Sequence, residues 1–299
     1  MKITLTGSLG HIGKPLTQML IEKGNTVTVI SSNPARSKEI EELGAVPAIG
    51  TLQDVNFLTS SFKGSEAVYT MVPPANYFDH DLDLLGYYQE LGNSYAEAIR
   101  RTEIKRIVNL SSIGAHLDKG NGILLGTYHV EKILNNLPKD AAITHIRPTE
   151  FYYNLFGFID LIKSQGIIAS NLGESDLNVW VSPKDIAACV AEEISTPSSG
   201  RKVRYVACDE LTYKELASIL GSAIGKPELK WIMIPDDQLL KSLESAGMQP
   251  EIAKGMVEMY AAIHSGLLYE DYNLHKPKTF GQVKMKDFAK DFAAVYNEK

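Results

Sequence analysis

Short runs of β-branched and aliphatic residues alternate with amphipathic stretches through the first half of the chain. Strand-like runs fall at Lys2–Thr6, Thr26–Ile30, Val46–Ala48, Ala67–Met71, Arg106–Leu110 and Ala142–Ile146, short and apolar enough for strands buried on both faces. Between them, apolar residues recur at helical spacing. Leu16, Met19, Leu20 and Ile21 do so between Gly13 and Gly24, and Leu84, Tyr88, Leu91, Tyr95 and Ala98 share one face of a stretch ending near Arg101. Asn33 before Pro34 reads as a helix start, a cap followed by proline at the first helical position. Strands alternating with helices predict an α/β fold built on a doubly wound parallel sheet.

The second half is patterned differently. Phe151 to Ile168 is dense in aromatic and aliphatic residues, followed by strand-like Asn178–Val181, a capped helix start at Ser182-Pro183-Lys184-Asp185 and a strand at Val203–Ala207. Thr212-Tyr213-Lys214-Glu215 is a capping box for a helix ending near Gly225. After Trp231–Ile234 the pattern is mostly helical to Gly266, and Phe288–Tyr296 suggests a closing helix. Residues 1–150 are therefore expected to form the sheet domain, with segments near 178–208 and the helix at 285–299 returning to it. Residues 151–177 and 209–270 are expected to form a smaller, mostly helical lobe over the C-terminal edge of the sheet. In open α/β sheets the crevice at that edge is the ligand site.

Composition narrows the setting. A net charge of −6, with Lys and Arg scattered among acids, argues against nucleic-acid binding. No run of eighteen apolar residues suggests a membrane span, and Met1–Gly7 enters a strand pattern without the apolar core of a secretory signal. Cys189 and Cys208 lack metal-ligand spacing and sit in apolar patterns. Buried thiols in a reducing cytoplasm are expected, with no metal site.

Chemistry enters with Thr6-Gly7-Ser8-Leu9-Gly10-His11-Ile12-Gly13, which follows the first strand and opens the first helix. At this spacing Gly7 permits the tight turn, Gly10 lets the backbone approach a pyrophosphate, and Gly13 lets helix and strand pack closely. The helix N-terminus adds free N–H groups and partial positive charge. This placement marks a dinucleotide site and makes the sheet Rossmann-type. Candidate cofactor contacts are Gly7, Leu9, Gly10, His11, Ile12 and Gly13, then Met71, Val72 and Pro73 past the fourth strand, Ser111 past the fifth and Pro148 past the sixth. NAD sites usually place a carboxylate at the end of the second strand. Here Ser31, Asn33 and Arg36 stand in that region, and all can donate to a 2′-phosphate. NADP(H) is favoured over NAD(H); the plainer alternative is that Asn33 only caps and Arg36 is solvated.

These pieces together resemble the NmrA-like group of atypical short-chain dehydrogenase/reductase proteins. The resemblance is carried by the glycine loop, Ser31–Arg36, Ile107–Ser112, Ile146-Arg147-Pro148-Thr149-Glu150-Phe151-Tyr152-Tyr153-Asn154, Val181–Ala187 and Glu258–Gly266, and covers nearly the whole chain. It implies NAD(P)H binding. The superfamily's usual chemistry pairs a Tyr with a Lys four residues later on one helix face. Tyr128 and Lys132 match that spacing literally, with Ser111 or Ser112 as the companion hydroxyl. In the family's pattern a Glu follows the lysine by one helical turn, ahead of the Arg-Pro strand. If Glu131 is that Glu, the lysine position falls on Thr127 and the tyrosine position on Ile123, and Lys132 lies a turn too far along.

Reduction of a quinone-like acceptor depends less on such a pair than reduction of an ordinary carbonyl. Phe151, Tyr153 and Asn154 are the substrate-side candidates, suited to a flat hydrophobic molecule, although an interlobe core has the same composition. Two functions stay open. One is an NADPH-dependent oxidoreductase acting on a small quinone-like or carbonyl acceptor. The other is a non-catalytic NADP(H)-sensing regulatory protein that binds a protein partner. A nucleotide-sugar epimerase is a third, disfavoured by the blurred Tyr/Lys register and by few polar groups in the lobe.

Overall fold

In chain order the strands are β1 (Lys2–Leu5), β2 (Thr26–Ser31), β3 (Val46–Ile49), β4 (Ala67–Thr70), β5 (Arg106–Leu110), β6 (Ala142–Pro148), β7 (Glu150–Phe151), β8 (Ile167–Ser170), β9 (Leu177–Val181), β10 (Arg201–Val206), β11 (Asp209–Thr212) and β12 (Lys230–Met233). The helices are α1 (Gly13–Glu22), α2 (Ser37–Glu42), α3 (Val55–Phe62), α4 (Leu84–Thr102), α5 (Leu125–Asn135), α6 (Ile159–Gln165), α7 (Pro183–Ser195), α8 (Tyr213–Ala223), α9 (Asp236–Ser245), α10 (Pro250–His264), α11 (Glu270–Leu274) and α12 (Met285–Glu298). These elements come from a computed structural model that describes residues 1–298.

The main sheet has seven strands in the order β10-β6-β5-β4-β1-β2-β3, and every pairing is parallel. This is the Rossmann-type α/β arrangement expected from the alternation of strands and helices. The central strands are apolar throughout because both faces are covered: every residue of β4 and β6 is buried. On one face α1 and α7 pack together, with Leu16, Leu20, Ile186 and Val190 in the core. On the other, α3, α4 and α5 bury Phe62, Leu91, Tyr95, Val130 and Leu134. Each such side chain contributes about 1.5–3 kcal/mol by leaving water. The N-terminus of α4 is set by Asp83, whose Oδ1 accepts from the Gly86 amide at 2.9 Å.

The second half departs from its pattern in three ways. The lobe is not merely helical: β7 and β11 flank β9 in a three-stranded sheet, and β8 pairs with β12 in another. Of the segment near 178–208 expected to return to the main sheet, α7 and β10 do so, whereas the run at Asn178–Val181 is part of β9 and stays in the small sheet. Helix α12 packs on α8 and on the Tyr152–Phe158 turn, stacking Phe288 on Tyr152 and Phe292 on Phe156. Strands of two to five residues carry too little period for pairing partners to be read from sequence.

Candidate functional site

The glycine loop leaves β1 at the C-terminal edge of the main sheet. Gly7 has φ +87°, which a side chain would resist, and a Cβ there would meet the Met71 Sδ at 2.4 Å. A Cβ on Gly13 would meet the Ser8 carbonyl oxygen at 2.0 Å, so α1 sits against its own loop. At Gly10 the nearest atom to such a Cβ is 3.8 Å away, which leaves that stretch of backbone open to approach. Helix α1 has no side-chain cap. The loop is braced from behind: the Ser8 amide donates to the Ile30 carbonyl at 3.0 Å, and the Met71 amide donates to the Thr6 hydroxyl at 3.0 Å. An uncapped helix end behind an open glycine backbone fits a diphosphate. Leu9 and Ile12 are buried beneath it, while Gly10 and His11 are exposed.

At the end of β2 the Ser31 hydroxyl accepts from the Ser8 hydroxyl at 3.0 Å, tying the second strand to the loop. Asn33 does cap, its Oδ1 accepting from the Ala35 amide at 3.0 Å. Arg36 is not simply solvated. Its guanidinium donates to Glu39 at 2.6 Å, and the Lys14 ammonium donates to the other oxygen of the same carboxylate at 3.0 Å. Hydrogen bonds from Lys14 and then Arg36 hold the Glu39 carboxyl below the ordinary range. A carboxylate thus reaches this corner from the next helix, between two cations. Lys14 was legible only as a basic residue in the first turn of α1; its meeting with Arg36 needs the fold.

Past β5 the polar groups close on one another. Ser111 is buried and donates to Glu131 at 2.5 Å. Arg147 grips Glu131 with two bonds, at 2.9 and 2.6 Å, and reaches Asp271 at 2.9 Å; the Arg147 and Glu131 side chains are each 7% exposed. Tyr205 donates to the same Asp271 at 2.6 Å. Burial acts to raise the Asp271 carboxyl, but the Tyr205 bond and the Arg147 charge hold it below its usual range. Tyr128 and Lys132 form no comparable site. Lys132 is exposed, with its ammonium 5.7 Å from the centre of the Tyr128 ring, and that ring meets His129 edge-on. In the alternative register, the Thr127 hydroxyl is spent on the Leu124 carbonyl at 2.6 Å. Ile123 there lines an apolar-floored groove of about 810 Å³ between residues 80–85 and α10.

Of the substrate-side candidates, Tyr153 meets the glycine loop directly. Tyr153 stacks on His11 with ring centres 4.6 Å apart, and Phe151 lies 5.1 Å from Tyr153. Asn154 is exposed just beyond them, and Met71, Val72 and Pro73 are half-buried at the end of β4, where the Met71 carbonyl accepts from Tyr95 at 2.7 Å. Pro148 ends β6, fully buried in the sheet.

Glu150, within the Arg-Pro segment, is half-buried at this edge and accepts from the Asn178 side-chain Nδ2 at 2.5 Å. Burial drives its pKa up to about 7 against the opposing hydrogen bonds of Asn178 and Asn154. No sequence signal marks it, because its surroundings come from distant segments.

Comparison with known proteins bears on the whole chain. The profile of the NmrA-like family matches residues 1–286. An NAD(P)H azoreductase of Xenophilus azovorans is 24% identical over 260 residues, covering 87% of this chain and 86% of that protein. An NADPH-dependent quinone oxidoreductase of Escherichia coli, solved with NADPH, superposes with a TM-score of 0.80 at 19% identity, over 97% of this chain and 99% of that one. A triphenylmethane reductase of Citrobacter sp. superposes with a TM-score of 0.79 at 18% identity, over 98% and 100%. At such identities the superpositions speak for the fold.

Proposed function

The chain belongs to the NmrA-like family, and from that premise we propose that it is an NADPH-dependent reductase of flat, conjugated acceptors such as quinones or azo compounds. The observation that carries this reading is the contact between the two halves of the cleft: His11 of the glycine loop stacks on Tyr153, beside Phe151. A diphosphate held on the α1 N-terminus would run along the sheet edge toward that aromatic wall. The names of the relatives agree, being reductases of azo compounds, quinones and triphenylmethane dyes.

A reduced nicotinamide supplies a hydride. This chain's own residues bind and orient. The backbone of Gly7–Gly13 holds the diphosphate, Ser31, Asn33, Arg36 and Lys14 take the 2′-phosphate, and Phe151 and Tyr153 stack the acceptor. Excluding water at the aromatic wall favours direct transfer. NADPH is preferred to NADH because two cations face one carboxylate at the corner.

The test is the loss of NADPH absorbance with a panel of quinones and azo dyes, beside calorimetric titration of both coenzymes. Binding without consumption of NADPH by any acceptor would remove the reductase reading. It would leave the second one, a sensor of NADP(H) that signals to a protein partner. That alternative is favoured by the exposed Lys132 and the spent hydroxyl of Thr127.

A further inference from the structure

We propose that the Glu150 carboxyl is the acid that protonates the acceptor during its reduction, in the role that the misplaced Tyr/Lys pair leaves open. The proposal rests on the reductase reading above and names a residue for it.

Geometry puts the carboxyl at the working edge. Glu150 stands two residues past Pro148, where β6 ends, and opens β7. Phe151 itself points to the opposite face of β7. The Glu150 carboxyl, however, takes a hydrogen bond from Asn154 and lies near Tyr260, which with Tyr153 lies near Tyr77. Tyr153 in turn stacks on His11 of the glycine loop. The carboxyl is also oriented. Its Oε2 accepts from the Asn178 Nδ2, and the Asn178 Oδ1 is fixed by the Val179 amide at 2.8 Å and by the Tyr269 hydroxyl. With its oxygen so occupied, Asn178 can present only its NH2 to Glu150.

The surroundings withhold what would ionise an ordinary carboxyl. Among the described residues no Lys, Arg or His pairs with Glu150. Facing it are Tyr213 of α8, Tyr260 of α10 and Tyr269 of the turn before α11, each raised in part by the Glu150 charge. The Tyr213 hydroxyl is buried without a hydrogen-bond partner. Asp176 lies beyond, bonded to His264 at 2.6 Å, and its charge also bears on Tyr213 and Tyr269. A buried carboxyl ringed by phenols, with the side-chain amides of Asn178 and Asn154 as donors and no cation, holds its proton up to about neutrality, as a general acid must.

The step balances. The acceptor takes a hydride from the dihydronicotinamide and a proton from Glu150. A quinone becomes a hydroquinone, or an N=N bond becomes HN–NH. The coenzyme leaves oxidised, and the Glu150 carboxylate regains its proton from solvent. A hydroquinone anion is stabilised and water can protonate it, whereas a hydrazide-type nitrogen anion is far more basic. Glu150 therefore matters more for azo acceptors than for quinones.

The experiment compares wild type with Glu150→Gln, which keeps an oxygen for Asn178 but has no transferable proton. Wild-type kcat with an azo dye should fall as pH rises through about 7. Glu150→Gln should be about a hundredfold slower at pH 6 and flat with pH, and less impaired with a quinone. Infrared spectra of the coenzyme-free protein give an independent readout. A protonated carboxyl band present at pH 6 should fade above 7 and be missing from Glu150→Gln. Consumption of NADPH by wild type with an unchanged rate and pH profile in the variant overturns this proposal alone. Absence of that band at pH 6 does the same. Failure of wild type to consume NADPH with any acceptor, while still binding it, overturns the reductase reading and this proposal with it.

Discussion

The two ends of the cleft are built on opposite plans. At the proposed phosphate end the polar groups are backbone amides and half-exposed cations, with the α1 N-terminus uncapped. At the proposed reaction end they are side chains that satisfy one another, with Ser111, Glu131, Arg147, Tyr205 and Asp271 in one network. The first end is made to receive a charge from outside; the second has closed its charges among themselves. A residue there can act on a substrate only if, like Glu150, it stands outside that network.

The sharpest way to break the contrast is to open the closed end. Arg147→Met leaves Glu131 buried without its cation, and such a loss typically costs about 3–5 kcal/mol. Urea unfolding should show a large drop in midpoint with little change in slope. Adding Glu131→Leu to the same chain should recover much of the loss, because an apolar pair needs no partner. A single variant that is only marginally destabilised would mean that water reaches the pair, and the two ends would not differ in kind.

At the open end the matching lesion is steric. Gly13→Ala puts a methyl 2.0 Å from the Ser8 carbonyl oxygen, and backbone cannot swing aside as a side-chain tip can. The loop must move, and NADPH affinity by calorimetry should fall about a hundredfold as the amides lose their aim at the diphosphate. Gly10→Ala meets nothing nearer than 3.8 Å in the protein itself. It should fold normally and lose affinity only through contact with the ligand. Equal affinities in the two variants would count against the helix N-terminus as the phosphate site.

These contrasts also explain what could be read from sequence. Gly7, Gly10 and Gly13, Asn33 as a cap, and the capping box at Thr212 were legible because their partners lie within a few residues. The parallel sheet followed from strands apolar enough to be covered on both faces, although its strand number did not. The reaction end was not legible in the same way. Arg147 meets Asp271 across 124 positions, and the phenols around Glu150 come from α8, α10 and the turn before α11. The Tyr128/Lys132 spacing is a local pattern of another kind: the sequence holds it literally, and the helix that carries it leaves Lys132 exposed. The run assigned to the main sheet at Asn178–Val181 lies instead in a three-stranded sheet whose partner β7 has two residues.

Within the open end, discrimination between coenzymes is the finer test. Arg36→Ala removes one of two cations and should weaken NADPH about tenfold, the worth of a charge-assisted hydrogen bond at a half-exposed site, with NADH almost unchanged. An equal loss for both coenzymes would assign Arg36 to the fold rather than to a 2′-phosphate.

Glu39→Gln has the smallest expected effect and the most informative sign. In the free protein the carboxylate holds both Arg36 and Lys14, so a phosphate arriving there must share or displace it. Two influences compete in the variant. Losing the carboxylate frees two cations and makes the corner more positive, which favours the phosphate. It also lets two side chains, 43% and 48% exposed, wander from where the phosphate needs them. The charge should win, because a dianion can reorder two nearby cations but cannot remove a fixed negative charge. NADPH affinity should rise severalfold with NADH constant, and the gain should shrink as salt screens it. Because Lys14 and Arg36 hold the Glu39 carboxyl below its ordinary 4.5, it is ionised throughout the neutral range. Its contribution to the folded state is present above that value and lost only as pH falls below it. Wild-type preference for NADPH should therefore be the same at pH 6 and pH 8 as far as Glu39 is concerned. A fall in NADPH affinity in Glu39→Gln would mean that the carboxylate positions its cations more than it competes for them, and the open end would be less open than its exposure suggests.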